Sequence, residues 1–283
     1  MLGSCQFRSG NITTDYEPMT ATVSGSTMES TQAPEQTGPE VTPSSELYAV
    51  TGINEGDSLT IFQDPAGNPI GHIASSGINL RPASNILTID ESNWLQIQYN
   101  GQNGWVDYTF LAEQYGTIPE ILAQHGRIVL SALKAYRYDQ LSEIIHPQLC
   151  LRFSPYSYLN SSNLIFCGAE LEAAATSEDQ LLWGKFDGTG DPINLSFVDY
   201  HRKFIYDQDY FHSPIVGFNT EVSSGNSLNN IQEIYPGGMM IEYYYPGFDS
   251  QYGGMDWRSI RLVFVQHDAN WYLAAVIHGE WTI

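Results

Sequence analysis

The stretch WLQIQYNGQNGWV, residues 94–106, is the clearest fold signal in the sequence. Apolar and aromatic residues recur along its first half, and two Asn-Gly pairs follow, Asn100-Gly101 and Asn103-Gly104. Asparagine and glycine tolerate the positive φ angles of tight hairpin turns, and the run after them is again apolar. The stretch therefore predicts two antiparallel β-strands joined by a turn.

The sequence before this hairpin predicts further short strands. Brief apolar runs alternate with turn signals: LTIF at 59–62, DPAGNPIG at 64–71 and GINL at 77–80. No helical period of apolar residues appears between 47 and 112. These features predict a small all-β, barrel-like domain over residues 47–114.

The second half of the chain predicts helices followed by a long antiparallel sheet. A helical period of apolar residues begins at 118, shorter helices are expected over 139–145 and 197–205, and Pro119 suits a first helical position. Alternating strands are expected over 257–265 and 271–277. Helices first and antiparallel strands last argue for an α+β domain over 118–283.

Both segments resemble known bacterial families. The first resembles the bacterial SH3-like (SH3b) family in its strand at 59–62, its Pro-Ala-Gly turn at 65–67 and its closing hairpin at 100–106. The second resembles the NTF2-like/SnoaL-like cone fold in its helices, its His146-Pro147 step and its terminal WYLAAVIHGEWTI hairpin. It also resembles bacterial lipoprotein domains that carry FSPYSYL-type, WGKFDGTG-type and WTI-type motifs. The resemblances imply a multidomain protein: an SH3-like barrel plus an α+β NTF2-like domain.

The charge of the chain restricts its partners. Eleven basic residues stand against 32 acidic ones, which gives a formal net charge of −21. Such a surface repels the phosphates of nucleic acids and the headgroups of anionic lipids. No apolar run approaches the about 20 residues that span a bilayer. We therefore expect no nucleic-acid partner, and membrane attachment only through a lipid anchor.

The N-terminal stretch favours such an anchor. Leu2-Gly3-Ser4-Cys5 resembles the lipobox of bacterial lipoproteins, in which the cysteine is acylated. A lipobox also needs a charged start and an apolar stretch before it, so this interpretation requires a signal peptide that is not present in this chain. The alternative is a chance match. Residues 1–46 are otherwise rich in Ser, Thr, Pro and Glu, which predicts a disordered tether.

The other two cysteines, Cys150 and Cys167, leave two alternatives open. In an oxidising compartment they would form a disulfide that stabilises the fold by about 3 kcal/mol. Otherwise they are two buried thiols.

No pattern in the sequence indicates catalysis, a metal or a cofactor. The chain has no HExxH, no Cys-x-x-Cys pair and no Gly-x-Ser-x-Gly in a strand-to-helix context. The segment DGTGD, 187–191, lacks the acidic positions of a calcium loop, so we expect a glycine-rich turn there. We assign no catalytic residue, no metal ligand and no cofactor.

Aromatic residues are in excess in the second segment and supply the candidate ligand-binding residues. In one interpretation they line a cavity and stack on a sugar or another flat ligand. In the other, which we favour, they belong to an aromatic-rich core. The candidates are Tyr156, Trp183, Tyr243, Tyr245, Trp257 and His278. Arg152, Arg258 and Arg261 are expected to pair with carboxylates.

These features predict an extracytoplasmic, lipid-anchored protein of the bacterial cell envelope with a non-catalytic binding role. Its ligand would be the cell wall, a glycan or a surface protein. The alternative is an enzyme of isomerase, dehydratase or hydrolase type, in which His278 and a nearby Asp act as acid and base. A third alternative, a structural accessory of an envelope complex, predicts an exposed apolar patch instead of a cavity.

Overall fold

The structure, a computed structural model, describes residues 44–223, 225 and 228–282, together with the backbone of residues 40–41. These residues belong to one compact unit, Gln36–Ile283. The predictions for Cys5 and for residues 1–39 of the tether lie outside the described residues.

An antiparallel six-stranded sheet contains the hairpin from which the sequence analysis began. In spatial order its strands are β1 (Glu40–Val41), β5 (Arg81–Ile89), β6 (Ser92–Tyr99), β7 (Gln102–Asp107), β3 (Ser58–Phe62) and β4 (Pro69–Ala74). The predicted hairpin is confirmed as β6 and β7, which turn at Asn100 and Gly101 with φ of 50° and 78°. The second Asn-Gly pair lies inside β7 instead of in the turn. Gly104 is needed there because a Cβ would lie 2.2 Å from Ile61 Cγ2.

This first sheet is open, and the described strands form no closed barrel. Its inner face packs a separate apolar core that includes Leu59, Ile73, Leu95 and Val106. Two strands that the sequence placed in the same all-β domain, β2 (Tyr48–Val50) and β8 (Leu111–Gly116), belong instead to the second sheet.

The second sheet has eight strands and runs through the middle of the compact unit. Its order is β10 (Leu164–Phe166), β9 (Leu151–Ser154), β16 (Asn270–Glu280), β15 (Arg258–His267), β14 (Met239–Tyr245), β13 (Ile215–Phe218), β8 and β2. The predicted terminal hairpin is confirmed as β15 and β16. Two pairings are parallel, β16 with β9 and β13 with β8. Helices together with several mostly antiparallel sheets confirm the α+β character of the chain.

Helices cover one face of the large sheet. The main helix, α1 (Glu120–Lys134), buries Leu122, Val129, Leu130 and Leu133 in the principal core. Pro119 is its N-cap residue and not its first helical residue. The helices that follow are α2 (Gly168–Thr176), α3 (Phe197–Tyr200), which continues as a π-turn over His201–Ile205, and α4 (Ile231–Ile234).

The helix expected over 139–145 is not formed, and this prediction is wrong. Only a single 3₁₀ turn, Tyr138–Gln140, is present. Tyr138 and Leu141 are both buried, and the chain at Ile145 makes a β-bridge to Leu273. The apolar spacing there arises from packing against the sheet and not from a continued helix. Among the described residues, no helix is both long and apolar enough to cross a membrane.

A buried ion pair holds the other face of the sheet to its covering loop. Glu242 on β14 and Arg261 on β15 are cross-strand partners, are almost completely buried, and approach to 2.9 Å. Glu242 also accepts hydrogen bonds from the Val222 amide and the Ser223 hydroxyl, and Arg261 donates to Glu221. Burial raises the pKa of Glu242, but Arg261 and these donors outweigh it and leave that pKa below its ordinary value.

Replacement of Glu242 by Gln should destabilise the fold by about 3 kcal/mol, because it removes the fully buried anion of Arg261 and leaves only the partly exposed Glu221 beside the guanidinium. The lowered pKa of Glu242 means that the pair stabilises the fold above the pKa of the unfolded carboxyl, about 4.3. This stabilisation is lost as the pH falls further. Urea unfolding between about pH 2 and pH 6 should therefore show a smaller acid-induced loss of stability in E242Q than in the native protein.

The matched control is R137Q, which breaks the Arg137–Asp139 pair, whose side chains are 53% and 51% exposed. This variant should have the same midpoint of urea unfolding as the native protein, since exposed ion pairs contribute little to the free energy of unfolding. Equal destabilisation of E242Q and R137Q would contradict the role given to the buried pair.

Candidate functional site

An open cleft of about 530 Å³ lies between the 154–163 segment and the hairpin formed by β11 (Leu181–Lys185) and β12 (Pro192–Leu195). Its lining is both aromatic and polar. The aromatic residues are Tyr156, Tyr158, Trp183 and Phe186, and the polar ones include Asn160, Ser162, Asn163, Lys185 and Asp187. Leu228 and Thr282 complete the rim.

The first wall of the cleft is a covalently closed segment. A disulfide joins Cys150 and Cys167, which are 17 positions apart, and encloses β9, the 155–163 loop and β10. At its base, β9 pairs in parallel with the buried strand β16. Arg152 on β9 donates to the Asn160 carbonyl at 3.0 Å and to the Tyr235 hydroxyl at 3.1 Å. This loop is therefore anchored at both ends and across its middle. The expected carboxylate partner of Arg152 is replaced by these two oxygens.

Local hydrogen bonds shape the loop further. Asn163 is buried, its carboxamide oxygen accepts from the Asn160 amide at 2.8 Å, and its nitrogen donates to the Ser154 hydroxyl at 3.1 Å. The Asn160 side chain in turn accepts from the amide and the hydroxyl of Ser162. The cleft surface is thus preformed, with polar atoms arranged by the loop itself.

The second wall of the cleft rests on a stack of aromatic rings. Trp183 borders the cleft but is fully buried, and its indole N–H donates to the Leu195 carbonyl at 2.9 Å. Its ring stacks on Tyr200 with the centroids 3.7 Å apart and the planes 6° from parallel. Such a ring pair is rigid, so this wall keeps its shape without a ligand.

The DGTGD segment closes the second wall as a glycine-rich turn, as predicted. Gly188 and Gly190 have φ of +80° and +74°, which only glycine adopts easily. The Asp187 amide donates to the Tyr156 hydroxyl at 3.2 Å, and this contact joins the two walls. In the described part of the chain, no three His, Cys, Asp or Glu side chains come together as a metal site.

The chemistry of the cleft suits recognition of a polar ligand with apolar faces. Burial raises the pKa of Tyr156, so its hydroxyl keeps its proton at neutral pH. That hydroxyl accepts from Asp187 and still has its own proton to donate. Tyr158 is 49% exposed and presents a ring to solvent at the mouth. The cleft thus offers aromatic rings, a phenol donor, amide groups and one lysine to a ligand.

Two of the six residues proposed from the sequence, Tyr156 and Trp183, line this cleft. Three others, Tyr243, Tyr245 and Trp257, do not line the cleft. Tyr243 is buried against α1, where its hydroxyl would meet a Cβ placed on Gly126. Tyr245 donates to the carbonyls of Asp209 and His212.

Trp257 lies on the opposite face of the large sheet. Its ring is buried and packs 6.0 Å from the ring of Tyr244. Tyr243 and Tyr244 therefore point to opposite faces, as strand alternation predicts. Tyr243, Tyr244 and Trp257 are therefore core residues, which agrees with the interpretation of the aromatic residues as an aromatic-rich core. Tyr156 and Trp183 border the cleft, which agrees with the interpretation of these residues as the lining of a cavity.

His278, the sixth candidate, lies behind the cleft and not in it. Its side chain is 1% exposed. Its Nδ1 is 3.2 Å from the carbonyl oxygen of Pro155, and its Nε2 is 3.3 Å from Asp207 Oδ2. A His–Asp pair is therefore present, but it does not line the cleft. His146, in contrast, accepts from the amides of Gln148 and Leu149 and so stabilises the turn after it.

Sequence reasoning missed two residues that matter to this arrangement. Phe186 lines the cleft together with Tyr158, and the WGKFDGTG motif that contains it was the available signal. Arg127 gave no signal, because it lies in an otherwise amphipathic helix. It is buried and donates to the carbonyls of Ile53 and Phe211, which joins the first segment to the second.

Comparison with known proteins returned no match, either to a family model or to a curated sequence. The cleft is therefore interpreted from its own geometry.

Removal of the disulfide in a C150S/C167S double variant should lower the free energy of unfolding by about 3 kcal/mol, since a closed loop of this length restricts the unfolded chain. Hydrogen exchange should accelerate most at the amides of β9 and β10. The control is C5S, which removes the remaining cysteine and should leave both measurements unchanged. Native protection of β9 and β10 in the double variant would show that the disulfide does not hold the cleft wall.

Proposed function

We propose that this protein binds a neutral glycan in the cleft between the 154–163 segment and the β11–β12 hairpin, without catalysis. The observation that carries the proposal is that three accessible rings, Tyr156, Tyr158 and Phe186, line the cleft, while the fully buried Trp183 supports its second wall. Amide and hydroxyl groups lie between and beside these rings.

Sugars fit such a surface for physical reasons. The axial C–H groups of a pyranose form an apolar face that packs on an aromatic ring, while its hydroxyls need donors and acceptors at the edge. Tyr156 supplies a protonated phenol, and Asn160 and Ser162 supply polar atoms at the rim. The cleft is open at Tyr158, so a chain longer than one sugar can extend out of it.

The charge of the protein favours a neutral glycan over an anionic one. The net charge is −21, and the cleft itself contributes both Lys185 and Asp187. One lysine beside a carboxylate does not compensate for a negative field of that size. A polyanionic glycan would therefore be repelled before contact.

The proposed setting is the outside of a bacterial cell, with the protein held by a lipid on Cys5 and a flexible tether over residues 1–46. The Cys150–Cys167 disulfide supports this setting, because such bonds persist in oxidising compartments. In the same proposal residues 47–114 are an SH3-like module and 118–283 an NTF2-like domain. The antiparallel β3–β7 sheet and the packing of α1 on a large sheet support those two assignments.

The alternative function, an acid–base enzyme, would need His278 and Asp207 to reach a substrate. His278 is sealed behind Pro155, so the geometry favours binding.

The test uses Tyr158, whose ring is half-exposed at the cleft, with Tyr252, which is equally exposed on a distant turn, as its control. Binding of chitotetraose, a neutral oligosaccharide, is measured by isothermal titration calorimetry. The Y158A variant should bind about tenfold more weakly, because a ring stack contributes about 0.5–1.5 kcal/mol beyond its buried area. The Y252A variant should bind as the native protein does.

Two results would contradict the proposal. One is equal affinity of Y158A and Y252A for the oligosaccharide. The other is multiple-turnover cleavage of chitotetraose or of soluble wall fragments by the purified protein, which would make the cleft an active site.

A further inference from the structure

The surroundings of His278 are unusual because both of its ring nitrogens face acceptors. A carbonyl oxygen only accepts hydrogen bonds, so the contact of Nδ1 with Pro155 is a hydrogen bond only when Nδ1 carries a proton. An ionised carboxylate also only accepts, so the contact of Nε2 with Asp207 is a hydrogen bond only when Nε2 carries a proton. A neutral imidazole carries one N–H and satisfies one of these partners, whereas the imidazolium satisfies both.

The charges around the ring balance only when His278 is cationic. Asp207 contacts His278 and also Arg258 Nε at 3.2 Å, and Arg258 reaches Glu280 at 3.3 Å. Tyr210 donates to the other oxygen of Asp207 at 2.7 Å. His278, Arg258 and two carboxylates therefore form one partly buried cluster.

Two further neighbours of the ring among the described residues, Phe204 and Ile260, are uncharged. Phe204 from the π-turn packs edge-on against it at 5.6 Å, and Ile260 is its cross-strand partner on β15. Burial raises the pKa of Asp207, but the donors His278, Tyr210 and Arg258 outweigh it and leave that pKa below its ordinary value. Asp207 thus stays ionised across the pH range in which histidine titrates.

The Pro155 carbonyl connects this cluster to the cleft. Pro155 lines the cleft, and its carbonyl shares a peptide group with the amide of Tyr156, the residue whose hydroxyl joins the two walls. When His278 loses a proton, the carboxylate of Asp207 is the stronger acceptor and retains Nε2–H. The Nδ1 lone pair then faces the Pro155 oxygen, and an attractive contact becomes repulsive.

We propose that His278 is a positioning residue whose protonation holds the Pro155–Tyr156 peptide in place, so that this wall of the cleft is fixed at acid pH and loosens as the pH rises. Ligand affinity should therefore fall with increasing pH. This inference rests on the proposed function for its effect on affinity, but the movement of the peptide is independent of any ligand.

The first measurement needs no ligand. Nuclear magnetic resonance of protein labelled with ¹⁵N-tyrosine and ¹⁵N-histidine follows the Tyr156 amide and the His278 ring between pH 5 and pH 8. We expect His278 to carry protons on both nitrogens at pH 5. The Tyr156 amide should shift with the same midpoint as the ring.

The second measurement is the affinity for chitotetraose over the same pH range. It should fall about tenfold across that midpoint, the expected effect of losing one charge-assisted hydrogen bond behind the wall. The H278Q variant should lose this dependence. The control, H212Q, removes a half-exposed histidine that pairs with Asp209 away from the cleft, and should retain it.

A second variant covers the case in which H278Q does not fold. In D207N the anion that stabilises the imidazolium is absent, so the Tyr156 transition should move to lower pH.

The outcomes separate this inference from the proposed function. A coupled transition of His278 and Tyr156 without any binding of chitotetraose supports the inference and overturns the glycan proposal. A Tyr156 amide that does not move while His278 titrates overturns the inference, as does a His278 ring that carries a single proton throughout.

Discussion

The strand β16 is the element on which the rest of the structure depends. It pairs with β15 along its whole length and with β9 on its other side. Its segment Leu273–Ile277 is buried completely or nearly so, since helices cover one face of the sheet and the segment with Ile231 and Tyr235 packs on the other. A strand buried on both faces reads as a continuous apolar run, which explains LAAVI in the sequence.

The cleft follows from that pairing. One wall of the cleft begins on β9, which β16 positions, and the Cys150–Cys167 disulfide fixes the far end of the same segment. The other wall rests on the Trp183–Tyr200 stack, which packs in the principal core. Neither wall is a free loop, so the protein spends little conformational entropy when a ligand binds.

The large sheet buries two pairs of ionisable side chains in an otherwise apolar interior. On one face Glu242 and Arg261 are paired and hydrogen-bonded, which tethers the covering loop. On the other face His278 is paired with Asp207 and contacts the cleft wall. In both places a buried charge is tolerable only because its partner is also buried, and each pair therefore fixes a loop in one position.

The sequence predicted those features that depend on local periodicity. The hairpin at β6 and β7, the helix α1 and the terminal hairpin each carry their own pattern within a few residues. Other features depend on contacts between distant residues. The transfer of β8 to the large sheet requires its parallel pairing with β13, about 100 positions away, and no local pattern encodes that partner.

For the candidate site, too, the sequence indicated the type of residue, and contacts between distant residues decided its position. Tyr156 and Trp183 were proposed together with Tyr243 and Trp257 because all are aromatic residues beside turns. Long-range contacts, such as the pairing of β9 with β16 and of β14 with β15, decide which of them reach a cleft and which fill the core. His278 was singled out for chemistry, but its position one layer behind the cleft depends on packing against Phe204 and Pro155.

The most direct test of the glycan proposal is a map of amide chemical shifts during titration with chitotetraose. The proposal predicts shifts confined to residues 154–163 and 183–187, with the amides of the first sheet, 58–107, unchanged. Shifts centred on the first sheet, or none at millimolar sugar, would contradict it.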